Sequence, residues 1–344
     1  MVPVMFDFRF ATRGRIAIHA ACTGLLLVLG AASVQAQAQA PAPADASKYP
    51  ARAIKYVVPY PPGAFNDTLA RIVSQKLQEA WGVSVVVENR PGGGTLIGND
   101  LVAKAAPDGY TLLGVAFPFG ANPSIYKHLP YDTVRDFTPL MLAGQTPNIL
   151  VARPSLGVKT VAEFIAYAKQ NPGKVSYGSA GIGSSNHLSM ELLKTMTGID
   201  VVHVPYKGSS PMVSDMLGGH IDAAFDNTPN VLPQVNAGAL RALGVTSAEP
   251  SALAPGIATV AATVPKFEVS VWFGIVGPAG MPEELVRKLN AELNAILQMP
   301  DVRQRFAEQG VTPVGGPPQL FADHIKAEIA KWAVVVKNAQ IPQE

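Results

Sequence analysis

The sequence predicts an α/β protein of two lobes joined by two chain crossings. Short apolar strands alternate with amphipathic helices, the alternation comes in two successive sets, and three helices follow the last long strand. At 344 residues, 48% hydrophobic and 15% charged, the chain is long and apolar enough for two domains with large cores.

The first set begins at Tyr49-Pro50. Ile54–Pro59 reads as a strand and Asp67–Leu77 as a helix, because its apolar residues recur at spacings of three and four. Ser84–Glu88 is the second strand, and Pro91-Gly92-Gly93-Gly94 turns the chain into a helix toward Ala105. Tyr110–Val115 is the third strand. The second set opens with a strand at Asn148–Ala152 and a helix capped by Thr160 that stops at Asn171-Pro172-Gly173. Strands follow at Val175–Ser179, Val201–Pro205, Ile221–Phe225 and Ala242–Val245, with a helix starting near Asn186. Val269–Val276 is a long apolar strand, and helices are expected at 283–298, 300–309 and 318–338. Crossings near Ala143–Val151 and Ser270–Phe273 divide the chain into one domain of residues 49–147 plus 272–344 and another of 148–271. The cleft between them is the default ligand site, since open α/β sheets bind at the carboxyl ends of their strands.

Residues 1–36 read as a cleaved secretory signal peptide. Arg9, Arg13 and Arg15 precede an apolar run from Ile16 to about Ala32, and Val34-Gln35-Ala36 offers a small-residue exit. The run is short for a membrane anchor and is interrupted by His19 and Thr23. Cys22 lies inside the run, and His19 stands where a lipid-attachment signal wants an aliphatic residue. Residues 37–48 form a flexible Ala/Gln/Pro tether. The leader carries three Arg, one Asp and the only Cys. The mature chain is therefore electrically neutral and has no thiol chemistry or disulfides. Neutrality and the absence of a basic run also argue against a nucleic-acid partner.

No enzyme signature survives inspection. Gly92-Gly93-Gly94-Thr95-Leu96-Ile97-Gly98 misplaces its third glycine for a dinucleotide loop, and no P-loop or G-x-S-x-G elbow is present. The mature histidines are scattered without metal-ligand spacing, so no metal or cofactor is expected. Ser184, Ser185 and His187 with Asp226 form a conceivable Ser-His-Asp set, and a periplasmic hydrolase is carried as the alternative. Helix capping accounts better for Ser185. What stands out is a chemistry of neutral donors. The loops Pro61–Asn66 and Ser179–Ser185 each leave a strand and open a helix, and both are rich in small residues. Backbone N–H groups and the positive end of the helix dipole suit a carboxylate without any Arg or Lys.

A set of motifs then marks a resemblance. Val58-Pro59-Tyr60-Pro61-Pro62-Gly63, Asp67, Ala70-Arg71, Val87-Glu88-Asn89-Arg90-Pro91-Gly92, Ala105-Ala106-Pro107-Asp108-Gly109-Tyr110-Thr111-Leu112, Asn122-Pro123, Leu129-Pro130-Tyr131-Asp132, Asp136-Phe137, Ser179-Ala180-Gly181, His187-Leu188, Val204-Pro205-Tyr206-Lys207-Gly208 and Asp226-Asn227 resemble the Bug family of periplasmic receptors of tripartite tricarboxylate transporters, from Tyr49 to about Trp332. The resemblance implies a Venus-flytrap periplasmic binding protein of type II-like architecture, a Gram-negative periplasmic location and no catalysis. It also implies a monomer that captures a small carboxylate and delivers it to integral-membrane permease subunits, or senses it without transport. Residues matching the family's ligand loops are Tyr60, Pro62, Gly63, Ala64, Phe65, Asn66 and Asp67 on one side, and Ser179, Ala180, Gly181, Gly183, Ser184, Ser185 and His187 on the other. Tyr206, Lys207, Gly208 and Asp226 line the far wall. One departure is Phe65, where relatives carry a small residue; with Phe117 it is expected to add an apolar wall favouring an aromatic or longer aliphatic acid.

Overall fold

The computed structural model describes residues 48–344. The expected leader over 1–36 and nearly all of the tether lie outside the described residues. The ring of Tyr49 packs on Trp81 and Tyr110, and its hydroxyl donates to the Gly109 carbonyl at 2.8 Å.

The first set of units is β1 (Ile54–Val58), α1 (Phe65–Trp81), β2 (Val85–Asn89), α2 (Leu96–Ala103), β3 (Thr111–Ala116) and α3 (Pro118–Ile125). Helix α1 buries Leu69, Ile72, Val73 and Leu77 along one face and stops at Gly82, which is left-handed and donates its N–H to Gln78. The parallel strands run β2-β1-β3, and β3 continues into an antiparallel pairing with β9 (Ser270–Pro278).

The second set is α4 (Val161–Gln170), β5 (Val175–Ser179), α5 (Ser185–Thr197), β6 (Val201–Pro205), α6 (Ser209–Leu217), β7 (Ala223–Asn227), α7 (Thr228–Asn236) and β8 (Arg241–Val245). Strand β5 pairs in parallel with β6 and β7. Joining the two sets is β4 (Phe137–Ala152), 16 residues long. Its first part pairs antiparallel with β9, from Phe137 opposite Pro278 to Pro147 opposite Ser270, and its last part pairs with β7 and β8. After β9 the chain adds α8 (Glu283–Gln298), α9 (Pro300–Glu308), the two-residue β10 (Thr312–Pro313), which pairs with β4, and α10 (Pro318–Asn338).

Sequence reading reached only the last five residues of β4. Pro139 and Pro147 hide the rest, because proline cannot donate to a ladder and normally argues against a central strand. The register slips just after Pro139, between it and Met141, and again between Leu142 and Gly144, while Pro147 ends the pairing with β9 opposite Ser270. Helices α3, α6 and α7 also had no sequence reading. Each carries proline near or inside it (Pro118 and Pro123, Pro211, Pro229 and Pro233), which breaks the short apolar pattern a period search relies on.

Most of the apolar interior forms one cluster, with Trp272, Trp332, Phe117, Phe119, Phe306 and Phe321 among its largest fully buried side chains. The indole N–H groups of Trp272 and Trp332 both donate to Glu328 Oε2, at 3.1 and 2.8 Å. That shared acceptor ties α10 to β9, satisfying buried donors that would otherwise be costly. A second cluster, around Ile149, Val151, Met212, Met216 and Val231, lies between the far end of β4 and helices α6 and α7.

Candidate functional site

Both expected loops leave the carboxyl ends of parallel strands, and each is held in shape by an acidic or hydroxyl side chain of the helix it opens. In the first, the chain passes from β1 through Tyr60–Ala64 into α1. Asp67, in the first turn of α1, reaches back to accept from the Gly63 N–H at 3.1 Å. It also accepts two bonds from Arg71, at 2.9 and 3.0 Å, and one from Asn89 Nδ2 at 3.0 Å. The same Asn89 amide donates to the Tyr60 carbonyl. Burial alone would raise the Asp67 carboxyl, but its bonds from Arg71, Asn89 and Gly63 and the Arg71 charge hold it below the ordinary value. Gly63 has φ +94°, a conformation glycine adopts at no steric cost. Pro62, Gly63 and Ala64 are exposed and Asn66 is buried. Ala64, at the helix N-cap, offers no side-chain cap, and the Asp67 and Thr68 N–H groups turn to the Ala64 carbonyl. The N–H groups of Phe65 and Asn66, first in the helix, find no acceptor among the described residues.

The second loop runs from β5 into α5. Ser179 is fully buried; its Oγ accepts from the Gly181 N–H at 3.1 Å and lies 2.6 Å from His203 Nε2. Gly181 has φ +124°, and its carbonyl accepts from the Ser184 hydroxyl at 2.6 Å. Ser184, not Ser185, is the helix cap: its Oγ accepts the His187 N–H. His187 Nδ1 accepts the Gly183 N–H at 3.3 Å, and its ring stacks on His203 at 4.2 Å, with Tyr177 on the far side of His203. Burial first, then the neighbouring His203 and Lys194, push the His187 imidazole down to about 3, so it is neutral and free to accept. The N–H groups of Ser185 and Asn186 open α5 as those of Phe65 and Asn66 open α1. In both loops the glycine N–H groups are spent holding the loop together.

The far wall is built around Asp226, at the end of β7. Its Oδ1 accepts from Asn186 of α5 at 2.7 Å, from the Ser209 hydroxyl of α6 at 2.9 Å, and from Asn227 N–H and Asn230 Nδ2 of α7 at 2.8 and 3.3 Å. Three helix starts thus meet on one carboxyl oxygen. Asn186, Ser209 and Asn230 were not among the expected site residues; a helix-start Asn directly before a histidine gives no signal of its own. Tyr206 is half-buried and donates its hydroxyl to Asp215, Gly208 is the N-cap of α6, and Lys207 is exposed.

The two expected aromatic walls do not stand in the open. Phe117 is 1% exposed and packs its ring against Trp332 at 5.0 Å, within the core. Phe65 is partly buried, with Phe273 and Phe306 at 4.5 and 5.1 Å. Both rings therefore serve packing. Gly310, just beyond α9, lies against Pro229 at the start of α7. A surface cavity of about 550 Å³ lined by Tyr126, Tyr131 and Arg135 includes no residue of either loop.

Ser179 and His203 are hydrogen-bonded, but among the described residues no carboxylate orients His203, as a nucleophile–base pair requires. Among the described residues no His, Cys, Asp and Glu cluster is arranged to hold a metal, and no helix is long and apolar enough to cross a membrane.

Comparison with known proteins agrees with this architecture. BugT of Bordetella pertussis is 39% identical over 297 residues, covering 86% of this chain and 91% of that protein. The structure of Rpa4515 of R. palustris with adipate superposes with TM-score 0.76 at 39% identity, over 86% of this chain and all of that one. MatC of Rhodopseudomonas palustris, solved with bound malate, gives 0.71 at 31% identity over 84% of this chain and all of that one. The model of the tripartite tricarboxylate transporter family receptor, TctC, matches residues 69–341, so the chain belongs to this family of solute-binding receptors, which are not enzymes.

Proposed function

We propose that the protein captures a small carboxylate in the cleft between its two lobes, in the periplasm, and presents it to the membrane subunits of a tripartite transporter. The observation that carries the reading is the pair of first-turn N–H sets, Phe65–Asn66 on α1 and Ser185–Asn186 on α5, each at the carboxyl end of a parallel strand. An anion at such a site meets N–H groups and the positive dipole end with no cationic side chain. Relatives solved with adipate and malate support the ligand class.

The proposed lobes are 49–147 with 272–344, and 148–271, acting as a monomer. Pro147 stands at the boundary where β4 changes partners. The leader over 1–36 directs export and is removed.

Thermal-shift screening of the mature protein against aliphatic and aromatic mono- and dicarboxylates tests the reading. At saturating ligand, about a hundred times Kd, stabilisation of about 2.7 kcal/mol is expected. Each acid is expected back unchanged. No shift with any acid, or conversion of one, contradicts it.

A further inference from the structure

Residues of both proposed lobes hold the loop that opens α5. Within its own lobe, Gly183 donates its N–H to His187 Nδ1, and Gly181 is tied to Ser179 and Ser184. From the other lobe, the side chain of Ile125, the last residue of α3, covers Gly183. A methyl group added to Gly183 would stand 3.1 Å from Ile125 Cγ1 and 3.5 Å from both its Cδ1 and Cγ2. Gly183 is buried, and Ile125 is 2% exposed. With φ +75°, Gly183 is glycine by conformation as well as by surroundings.

Ile125 is itself braced. Its carbonyl accepts the Glu344 N–H, and the Lys127 N–H donates to the Glu344 carbonyl, each at 2.9 Å. Gln343 Nε2 donates to the Ser124 carbonyl at 3.2 Å. On the same turn, Asn122 Nδ2 donates to the Gly94 carbonyl at 3.0 Å, and the Tyr126 hydroxyl occupies the space a Gly94 side chain would take. Helix α10 packs along α3, with Trp332 against Phe117. The last turn of α3 is thus held by the C-terminal segment, by the loop before α2 and by α10. A close-packed apolar side chain on so fixed a backbone yields little, so its position is passed on to Gly183. Gly183 stands two residues before Ser185, the first residue of α5.

We propose that Ile125 is a positioning residue of the binding site. It is an apolar stop on one lobe that seats the α5 loop of the other, and it keeps the Ser185 and Asn186 N–H groups aligned with those of Phe65 and Asn66. The proposal rests on the carboxylate reading above and adds the contact that sets one donor set against the other. Ile125 acts through Gly183 and does not touch the acid.

Calorimetric titration with adipate, malate and the acid that most raises the melting temperature tests it, beside the melting temperature of each ligand-free variant. Ile125→Ala is expected to weaken binding about tenfold, and Ile125→Val, which keeps Cγ1, to stay within about twofold of the wild type. Leu289→Ala, a buried truncation on α8, is expected to lower the melting temperature while moving affinity by no more than about twofold. Gly183→Ala is expected to weaken binding in the wild type and to cost about threefold less in the Ile125→Ala background, where the added methyl finds room. Unchanged affinity of Ile125→Ala, an equal loss in Leu289→Ala, or additive effects of the Gly183 and Ile125 substitutions overturn the proposal and leave the carboxylate reading intact. Binding of no acid to the wild type overturns both. Should Ile125→Ala not fold, deletion of Gln343 and Glu344 decides, since it frees the Ile125 backbone without emptying its place. That variant is expected to bind about threefold more weakly, and unchanged affinity overturns the proposal.

Discussion

Asp67 shows how a single side chain sets the shape of a loop. One carboxylate holds the Gly63 N–H, Arg71 and Asn89, so these bonds fix the turn from β1 into α1. Asp67→Asn keeps the volume but loses the charge and part of the Arg71 fork. It is expected to cost about 1–3 kcal/mol in stability, since charge-assisted bonds to a buried group are removed. Affinity for every acid should fall together, as urea unfolding and calorimetry on one preparation will show; a variant of wild-type affinity would mean the loop shape is independent of Asp67. Phe65 makes the opposite point. Because its ring packs on Phe273 and Phe306, Phe65→Gly is expected to destabilise the protein by about 2–4 kcal/mol. The ratio of affinities for aromatic and aliphatic acids should stay unchanged. A selective loss of aromatic acids would restore Phe65 to the ligand wall. The sequence showed that Phe65 was unusual but not which way its ring turned, because Phe273 and Phe306 lie more than two hundred residues away.

At the scale of elements, the legible features were those whose signal is local. Helix α1, the strands β1, β3 and β5, and the Thr160 cap were readable from spacing and from the residue at the boundary, and the structure shows Thr160 accepting the Glu163 N–H. The first part of β4 was not, since its two prolines argue against a central strand. The stack of Tyr177, His203 and His187 was equally invisible, being built from three separate elements. It makes the α5 loop sensitive to acid. His187, held near 3 when folded by burial and by His203 and Lys194, titrates near 6.5 when unfolded. Its stabilising contribution is complete above about pH 6.5 and is lost progressively as pH falls toward 3. Between pH 7.5 and 5.5 this group alone is expected to remove about 1.4 kcal/mol. His203 is lowered by burial too and adds loss of the same sign. Chemical denaturation across that range should show a shallower decline in His187→Asn. Parallel curves for wild type and variant would show that His187 is not held neutral in the folded protein.

At the scale of the molecule, two lobes share one long strand, and the second crossing enters at the start of β9. Thr246 accepts the Asn148 N–H and donates to the Val269 carbonyl, which bonds the two crossings together. The proposed hinge lies beside this linkage, at Pro147–Asn148 and Val269–Ser270. Small-angle scattering should therefore show a more compact particle on adding a binding acid, and superimposable profiles at saturation would mean a cleft that does not close. The two-lobe plan was legible because each lobe repeats its own β-α rhythm. The two loops at the strand ends were readable from the sequence, whereas the cluster around Asp226 was not, because Asn186, Ser209 and Asn230 converge on it only after folding.

The central claim is that the ligand carboxylate is held by helix-start N–H groups from both lobes. It is tested most directly by the crystal structure of the protein with whichever acid most raises its melting temperature. The carboxylate oxygens are expected within about 3 Å of the first N–H groups of α1 and α5, directly or through one ordered water. A carboxylate paired instead with Lys207 or another cationic side chain, or lying outside both loops, would contradict the account.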